Sequence, residues 1–146
     1  MTAVHIVVGV ALIAVNLAAG AYGAWAWWRW HVAPGFWPLL RAGQLLVVIE
    51  AAIGLVLWLT DHELPPLHLV YGLTPLAVSF FAEQLRLVAA QTELDRRELE
   101  GRAAIEALPE ARRRELVRAI LRREIGVMAA SAVVVALLGV RASGWF

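Results

Sequence analysis

Four long apolar stretches decide what this chain can fold into. They cover about residues 4–28, 36–60, 66–90 and 117–140 of the 146. An α-helix rises about 1.5 Å per residue, so each of the first three stretches can cross the roughly 30 Å hydrocarbon core of a bilayer. In the fourth only residues 125–140 are continuously apolar, which is short for a span, so part of its charged first half is expected to be immersed or the bilayer to thin there. Hydrophobic residues make up 61% of the chain, and these runs contain most of them. The sequence therefore predicts one all-α domain, a bundle of four transmembrane helices.

Signals at the ends of the runs divide the chain further. Tryptophans cluster over residues 25–30, as is typical of a membrane–water interface. Pro109 is expected to open the fourth helix, since proline is tolerated in the first turn. The third helix is predicted to continue beyond the membrane to about Leu108. The third and fourth helices would then form a charged helical hairpin over about residues 91–116.

The placement of arginine predicts the orientation of the bundle. All thirteen basic residues are arginine. Twelve of them lie toward the end of the bundle that carries the first interhelical turn and the hairpin, and only Arg141 lies at the opposite end. Loops rich in Arg and Lys stay on the cytoplasmic side of a membrane. We therefore expect a cytoplasmic hairpin and extracytoplasmic termini. The exclusive use of arginine suggests a GC-rich bacterial genome, and hence the bacterial cytoplasmic membrane.

The hairpin region mixes charges of both signs. Residues 86–124 contain ten arginines and eight acids, so a solvated pair of helices is one interpretation. The alternative is a docking surface for a membrane-protein partner, or for anionic lipid at Arg112–Arg114 and the arginines that follow. Nucleic acid is not expected as a partner, because no aromatic side chain is interleaved with these arginines.

Glu50 lies near the middle of the second apolar run. A carboxylate at that depth costs about 2.5–3.5 kcal/mol, so it should face the bundle interior and have a partner or carry a proton. One hypothesis is a protonated Glu50 that hydrogen-bonds to Asn16, Tyr71, Thr74 or Ser79. The other is that Glu50, Asn16, Tyr71 and Thr74 line a membrane pocket for a lipid-like or quinone-like ligand.

A second group of polar residues is expected near the cytoplasmic boundary. Arg41 and Glu83 lie at matching depth on antiparallel helices, with Arg86 and Glu124 at a similar level. We predict that these four residues form an interhelical ion-pair cluster that holds the helices together. Polar contacts between transmembrane helices more often stabilise a bundle than form a site.

Three histidines are expected on the extracytoplasmic side. His5 and His68 each fall in the first turn of a helix, and these two helices run in the same direction, so their imidazoles should lie at similar depth. Paired histidines from two helices can hold haem b, with iron between the rings. His62 and Asp61 suggest a metal site instead. Interfacial histidines can also simply hydrogen-bond lipid head groups.

Several chemistries are absent from the sequence. There is no cysteine, which excludes disulfides and thiolate metal sites, and no phosphate loop, GxSxG or HExxH motif occurs. We therefore expect a non-enzymatic protein that acts as a subunit or scaffold of a membrane complex. Its expected partners are the bilayer and either another membrane protein or a second copy. The alternatives are haem or metal binding through the histidines, and a ligand pocket around Glu50.

Overall fold

The structure, a computed structural model, describes residues 2–31, 33–61 and 66–144, and in this part of the chain every regular element is helical. Four helices are long and one is a short connector. In chain order they are α1 (Thr2–Arg29), α2 (Phe36–Asp61), α3 (Pro66–Asp95), α4 (Gly101–Glu106) and α5 (Glu110–Ala142).

The four long helices confirm the prediction of four membrane-spanning segments at the level of length and composition. Each contains an 18-residue window with a mean hydropathy of at least 1.2 and no more than two charged residues. Most of their surface faces outward: in α2 and α3 only 11% of that window is buried inside the protein. Apolar side chains exposed on this scale are stable only in contact with lipid or another apolar surface.

The long helices pack in the order α2, α1, α5, α3. α5 has extensive contact with both α1 and α3, and α1 also packs along α2. A lighter contact between α2 and α3 closes the ring. α1 and α3 therefore lie diagonally across the bundle axis, so only long side chains can join them.

Small residues let α1 approach its neighbours closely. Ala19 is fully buried, and a Cβ atom added to Gly20 would lie 2.5 Å from Val133 of α5. A Cβ atom on Gly23 would lie 2.5 Å from the ring of Phe36 on α2. Close backbone approach increases dispersion contact, which replaces the hydrophobic effect as a source of helix association in lipid.

The predicted end of the third helix is wrong. α3 stops at Asp95, not near Leu108. Glu98 takes a left-handed conformation with φ of 54°, while the Leu99 amide donates to the Leu94 carbonyl at 3.1 Å. These are the features of a Schellman motif, in which glycine usually occupies the left-handed position. Because glutamate and not glycine occupies this position, residue type does not mark the end of the helix.

A buried carboxylate joins α3 to α5 beyond the apolar segments. Glu93 is 8% exposed and accepts from Arg97, two residues after the end of α3, at 3.1 Å. Its other oxygen lies 2.8 Å from Nε of Arg123 on α5. Arg97 also reaches Glu115 of α5 at 3.6 Å. These contacts fix the charged ends of the two helices against each other.

Candidate functional site

One polar cluster lies where α1 begins, α3 begins and α5 ends. Its central contact is between His5 of α1 and Glu50 of α2, whose Nδ1 and Oε1 atoms are 3.1 Å apart. Both side chains are less than one-fifth exposed. The angle of this contact is not that of a hydrogen bond. His5 Nδ1 and Glu50 Oε2 have no hydrogen-bond partner in the described part of the chain.

Glycines shape the space around this contact. A Cβ atom on Gly9, one turn after His5, would lie 2.8 Å from Oε1 of Glu50. Any larger residue there would push the carboxylate away. A Cβ atom on Gly54, one turn after Glu50, would lie 3.8 Å from Cε1 of His5. α1 and α2 therefore each have a glycine where they meet beside the contact between His5 and Glu50.

His68 of α3 completes the cluster from across the bundle. Its ring centroid is 5.9 Å from that of His5, and the two ring planes are 68° apart. Its Nδ1 is 3.1 Å from the carbonyl oxygen of Ala142 on α5. A carbonyl only accepts, so Nδ1 of His68 must carry the proton in this hydrogen bond. The Nε2 atom of a neutral His68 ring then keeps a free lone pair.

All four long helices therefore contribute to one site, which we call the histidine site: His5, Glu50, His68 and the Ala142 carbonyl. Nδ1 of His68 has an oxygen acceptor, whereas Nδ1 of His5 lies 3.1 Å from a Glu50 oxygen without a hydrogen bond to it. In metal-binding histidines an oxygen acceptor at one ring nitrogen commonly orients the ring and leaves the other nitrogen for the metal.

The partners expected for Glu50 lie elsewhere. Asn16 is buried, donates to the Leu12 carbonyl at 2.9 Å and packs against Gly43. Thr74 donates to a backbone carbonyl of its own helix at 2.6 Å. Neither residue contributes to the histidine site. Neither side chain hydrogen-bonds to Glu50, and the hypothesis of a ligand pocket lined by Glu50, Asn16, Tyr71 and Thr74 stays a prediction.

The offset between α1 and α2 explains this difference. α2 continues eleven residues past Glu50, about 16 Å of helix, whereas α1 begins only three residues before His5. If the start of α1 and the end of α2 lay at one level, Glu50 would lie deep in the membrane and His5 at its surface. In the structure the first turn of α1 lies beside the middle of α2.

Tyr71 and Gly72 lie one turn along α3 from His68. The guanidinium carbon of Arg141 is 5.6 Å from the centroid of the Tyr71 ring. A Cβ atom added to Gly72 would meet nothing within 4 Å, so no described atom packs closely against this glycine.

Two predicted metal ligands cannot be placed. His62 and the side chain of Asp61 lie outside the described residues. Within the described part of the chain, no group of three or more histidine, aspartate or glutamate side chains is arranged to hold a metal ion.

The second predicted cluster lies near the opposite end of the bundle. Glu83 accepts from Arg41 at 2.5 Å and from Gln44 at 2.9 Å, which joins α2 to α3. Arg86 lies 3.2 Å from the other oxygen of Glu83. Glu124 of α5 is half-buried and interacts electrostatically with Glu83 and Arg86. The contacts of Glu83 join α2 to α3, whereas Glu124 forms no ion pair in the described part of the chain, and Nε of Arg86 has no hydrogen-bond partner there.

Some features of the site had no signal in the sequence. The Ala142 carbonyl is a backbone group, and nothing in residue type marks it as the acceptor for His68. The role of Gly9 follows only from the offset between α1 and α2. The chain matches no model of a known protein family, no curated protein and no solved structure.

Proposed function

We propose that this chain is a small integral membrane protein that binds haem, with His5 and His68 as the two axial ligands of the iron. The observation that carries the proposal is the 5.9 Å separation of the two imidazole rings, contributed by diagonal helices. Metal–imidazole bonds of about 2 Å place two ligand nitrogens about 4 Å apart and their ring centroids about 6 Å apart. The observed spacing supports this geometry.

The angle between the rings is compatible with this role. When two imidazoles ligate one iron, the plane of each ring contains its own nitrogen–iron bond. Each ring can be rotated about that bond independently of the other. An interplanar angle of 68° therefore allows both rings to ligate one iron.

The number of ligands favours haem over a bare metal ion. A structural zinc site needs four protein ligands and a catalytic one needs three. In the described part of the chain the site has two imidazoles, those of His5 and His68, and the carboxylate of Glu50 lies beside Nδ1 of His5. Haem requires only two protein ligands, because the porphyrin supplies the other four.

Glu50 and Ala142 would position the rings. Glu50 faces Nδ1 of His5, and the Ala142 carbonyl accepts from His68. An oxygen acceptor at Nδ1 fixes the tautomer and makes Nε2 a stronger ligand. Glycine at position 72 leaves space beside His68 for a flat group.

Haem held by His5 and His68 would supply one-electron redox chemistry, which suits electron transfer. The residues of this chain would hold the iron, orient both ligands and surround them with apolar helices.

The test is the spectrum and metal content of the purified protein. We expect protein purified in detergent from haem-sufficient cells to show a Soret band and about one haem per chain. Elemental analysis of the same sample separates haem iron from bare zinc, copper or nickel. Colourless protein without iron would overturn the proposal, and so would stoichiometric zinc in its place.

We further propose that the histidine site lies on the extracytoplasmic side of the bacterial cytoplasmic membrane, with the hairpin in the cytoplasm. The asymmetry of arginine supports this orientation. A reporter fused after Phe146 should read out extracytoplasmically, and one inserted at Gly101 should read out in the cytoplasm. The opposite pair of signals would place the histidine site on the cytoplasmic side.

A further inference from the structure

An apolar groove runs along the outer face of α5 between α1 and α3. We call it the α5 groove, and its volume is about 610 Å³. Its floor is formed by α5 and its walls by the two neighbouring helices, with Arg123 at one end. The residues used below are Gly126, Ala130 and Val133 on the floor and Trp27 and Ala89 on the walls.

Small residues line the floor of the groove. A Cβ atom on Gly126 would lie 2.8 Å from the Trp27 ring, so the indole lies directly against the α5 backbone. Ala130, one turn further, is exposed. A gap of this kind in an apolar surface loses dispersion contacts unless it is filled.

The length of the groove matches one leaflet of a bilayer. Ten residues separate Arg123 from Val133, which is about 15 Å along the helix. The hydrocarbon core is about 30 Å thick, so the groove covers half of it. An acyl chain of one leaflet would therefore fit along its floor.

Positive charge lies at the end of the groove where a lipid head group would be. Arg122 precedes Gly126 by one turn, and its guanidinium carbon is 3.6 Å from the centroid of Trp30. Its Nε donates to the Trp27 carbonyl at 3.0 Å. Arg118 is exposed one turn earlier on the same face.

Neither of these two arginines forms an ion pair among the described residues. Arg123 differs, because Glu93 neutralises it at 2.8 Å. The uncompensated charge of Arg118 and Arg122 is thus concentrated beside the mouth of the groove. A phosphate is the anion that arginine binds best in this setting.

We infer that the α5 groove binds an acyl chain of an anionic phospholipid, with its phosphate at Arg122 and Arg118. The tryptophans beside the groove lie at the depth where indoles meet lipid head groups. A zwitterionic lipid such as phosphatidylcholine would fill the same apolar floor. Its ammonium group offsets the charge of its phosphate, so it would gain less from the two arginines than an anionic lipid does.

The test is native mass spectrometry of the detergent-purified full chain, titrated with phosphatidylglycerol or phosphatidylcholine. One basic residue at a membrane surface favours anionic lipid by about fivefold, so two predict a preference of about 25-fold for phosphatidylglycerol. Replacing both residues (R118Q with R122Q) should remove this preference. Arg102→Gln is the matched control, because Arg102 is 90% exposed in the hairpin. The affinity of this variant for each lipid should stay within about twofold of that of the unmodified protein.

Two further variants keep the test decisive. Arg118→Gln alone leaves the contacts of Arg122 intact and should reduce the preference about fivefold. Ala130→Phe should block the floor and weaken both lipids. Equal binding of the two lipids by the unmodified protein would overturn the inference. A dimer that Ala130→Phe separates would also overturn it and would assign the groove to a second copy of the chain.

Discussion

Replacing either His5 or His68 by alanine is expected to abolish stoichiometric haem binding. Loss of an oxygen acceptor behind a metal-bound histidine typically lowers metal affinity about 10–100-fold. Loss of the ligand itself should therefore lower it by about 100-fold or more. The measurement is the ratio of Soret absorbance to protein absorbance in samples purified identically.

Two other variants give this prediction its controls. His31 lies at the far end of the bundle, where its ring is 5.4 Å from that of Trp25, so His31→Ala should leave the spectrum unchanged. Glu50→Ala removes the acceptor beside His5 but neither ligand. It should weaken haem binding about 10–100-fold and leave a coloured protein at high haem concentration. An unchanged spectrum in both ligand variants would show that these histidines do not hold the iron.

Glu93→Ala is expected to lower the stability of the bundle by about 2 kcal/mol. Removing one partner of a fully buried ion pair costs about 3–5 kcal/mol, because the opposite charge stays buried and unpaired. Here Arg97 and Arg123 keep about a third of their side chains exposed, which reduces the cost. The corresponding fall in Tm is about 4–8 °C, measured by thermal unfolding in detergent.

A matched substitution in the same region separates this effect from general loss of charge. Glu106 pairs with Arg102, and both side chains are more than half exposed. Glu106→Ala should therefore change stability by less than about 0.5 kcal/mol. If the two alanine variants unfold at the same temperature, the buried network does not hold α3 to α5. A double-mutant cycle of Glu93 and Arg123 measures their coupling directly.

The long helices could be predicted because lipid imposes a simple rule on them. A membrane-spanning segment needs about 20 apolar residues, and that pattern is visible without knowing any tertiary contact. The end of α3 could not be predicted in the same way. Its stop depends on Glu98 in a left-handed conformation, which costs about 1–2 kcal/mol and has no mark in composition.

The candidate site was predictable in one part and not in another. Equal depth of His5 and His68 follows from two helices that start on the same side, and their rings do lie 5.9 Å apart. The proximity of Glu50 to His5 depends on how far α1 slides along α2. That offset is decided by packing, such as Gly23 against Phe36, which no local pattern encodes. The expected role as a subunit or scaffold of a membrane complex stays a prediction.

The most direct test of the central proposal is the electron paramagnetic resonance spectrum of the oxidised, purified protein. Two imidazole nitrogens on one ferric haem produce a strong ligand field. We therefore expect a low-spin signal that is lost in both His5→Ala and His68→Ala and retained in His31→Ala. A high-spin signal in the unmodified protein, or a sample with no ferric haem signal at all, would contradict iron ligation by these two histidines.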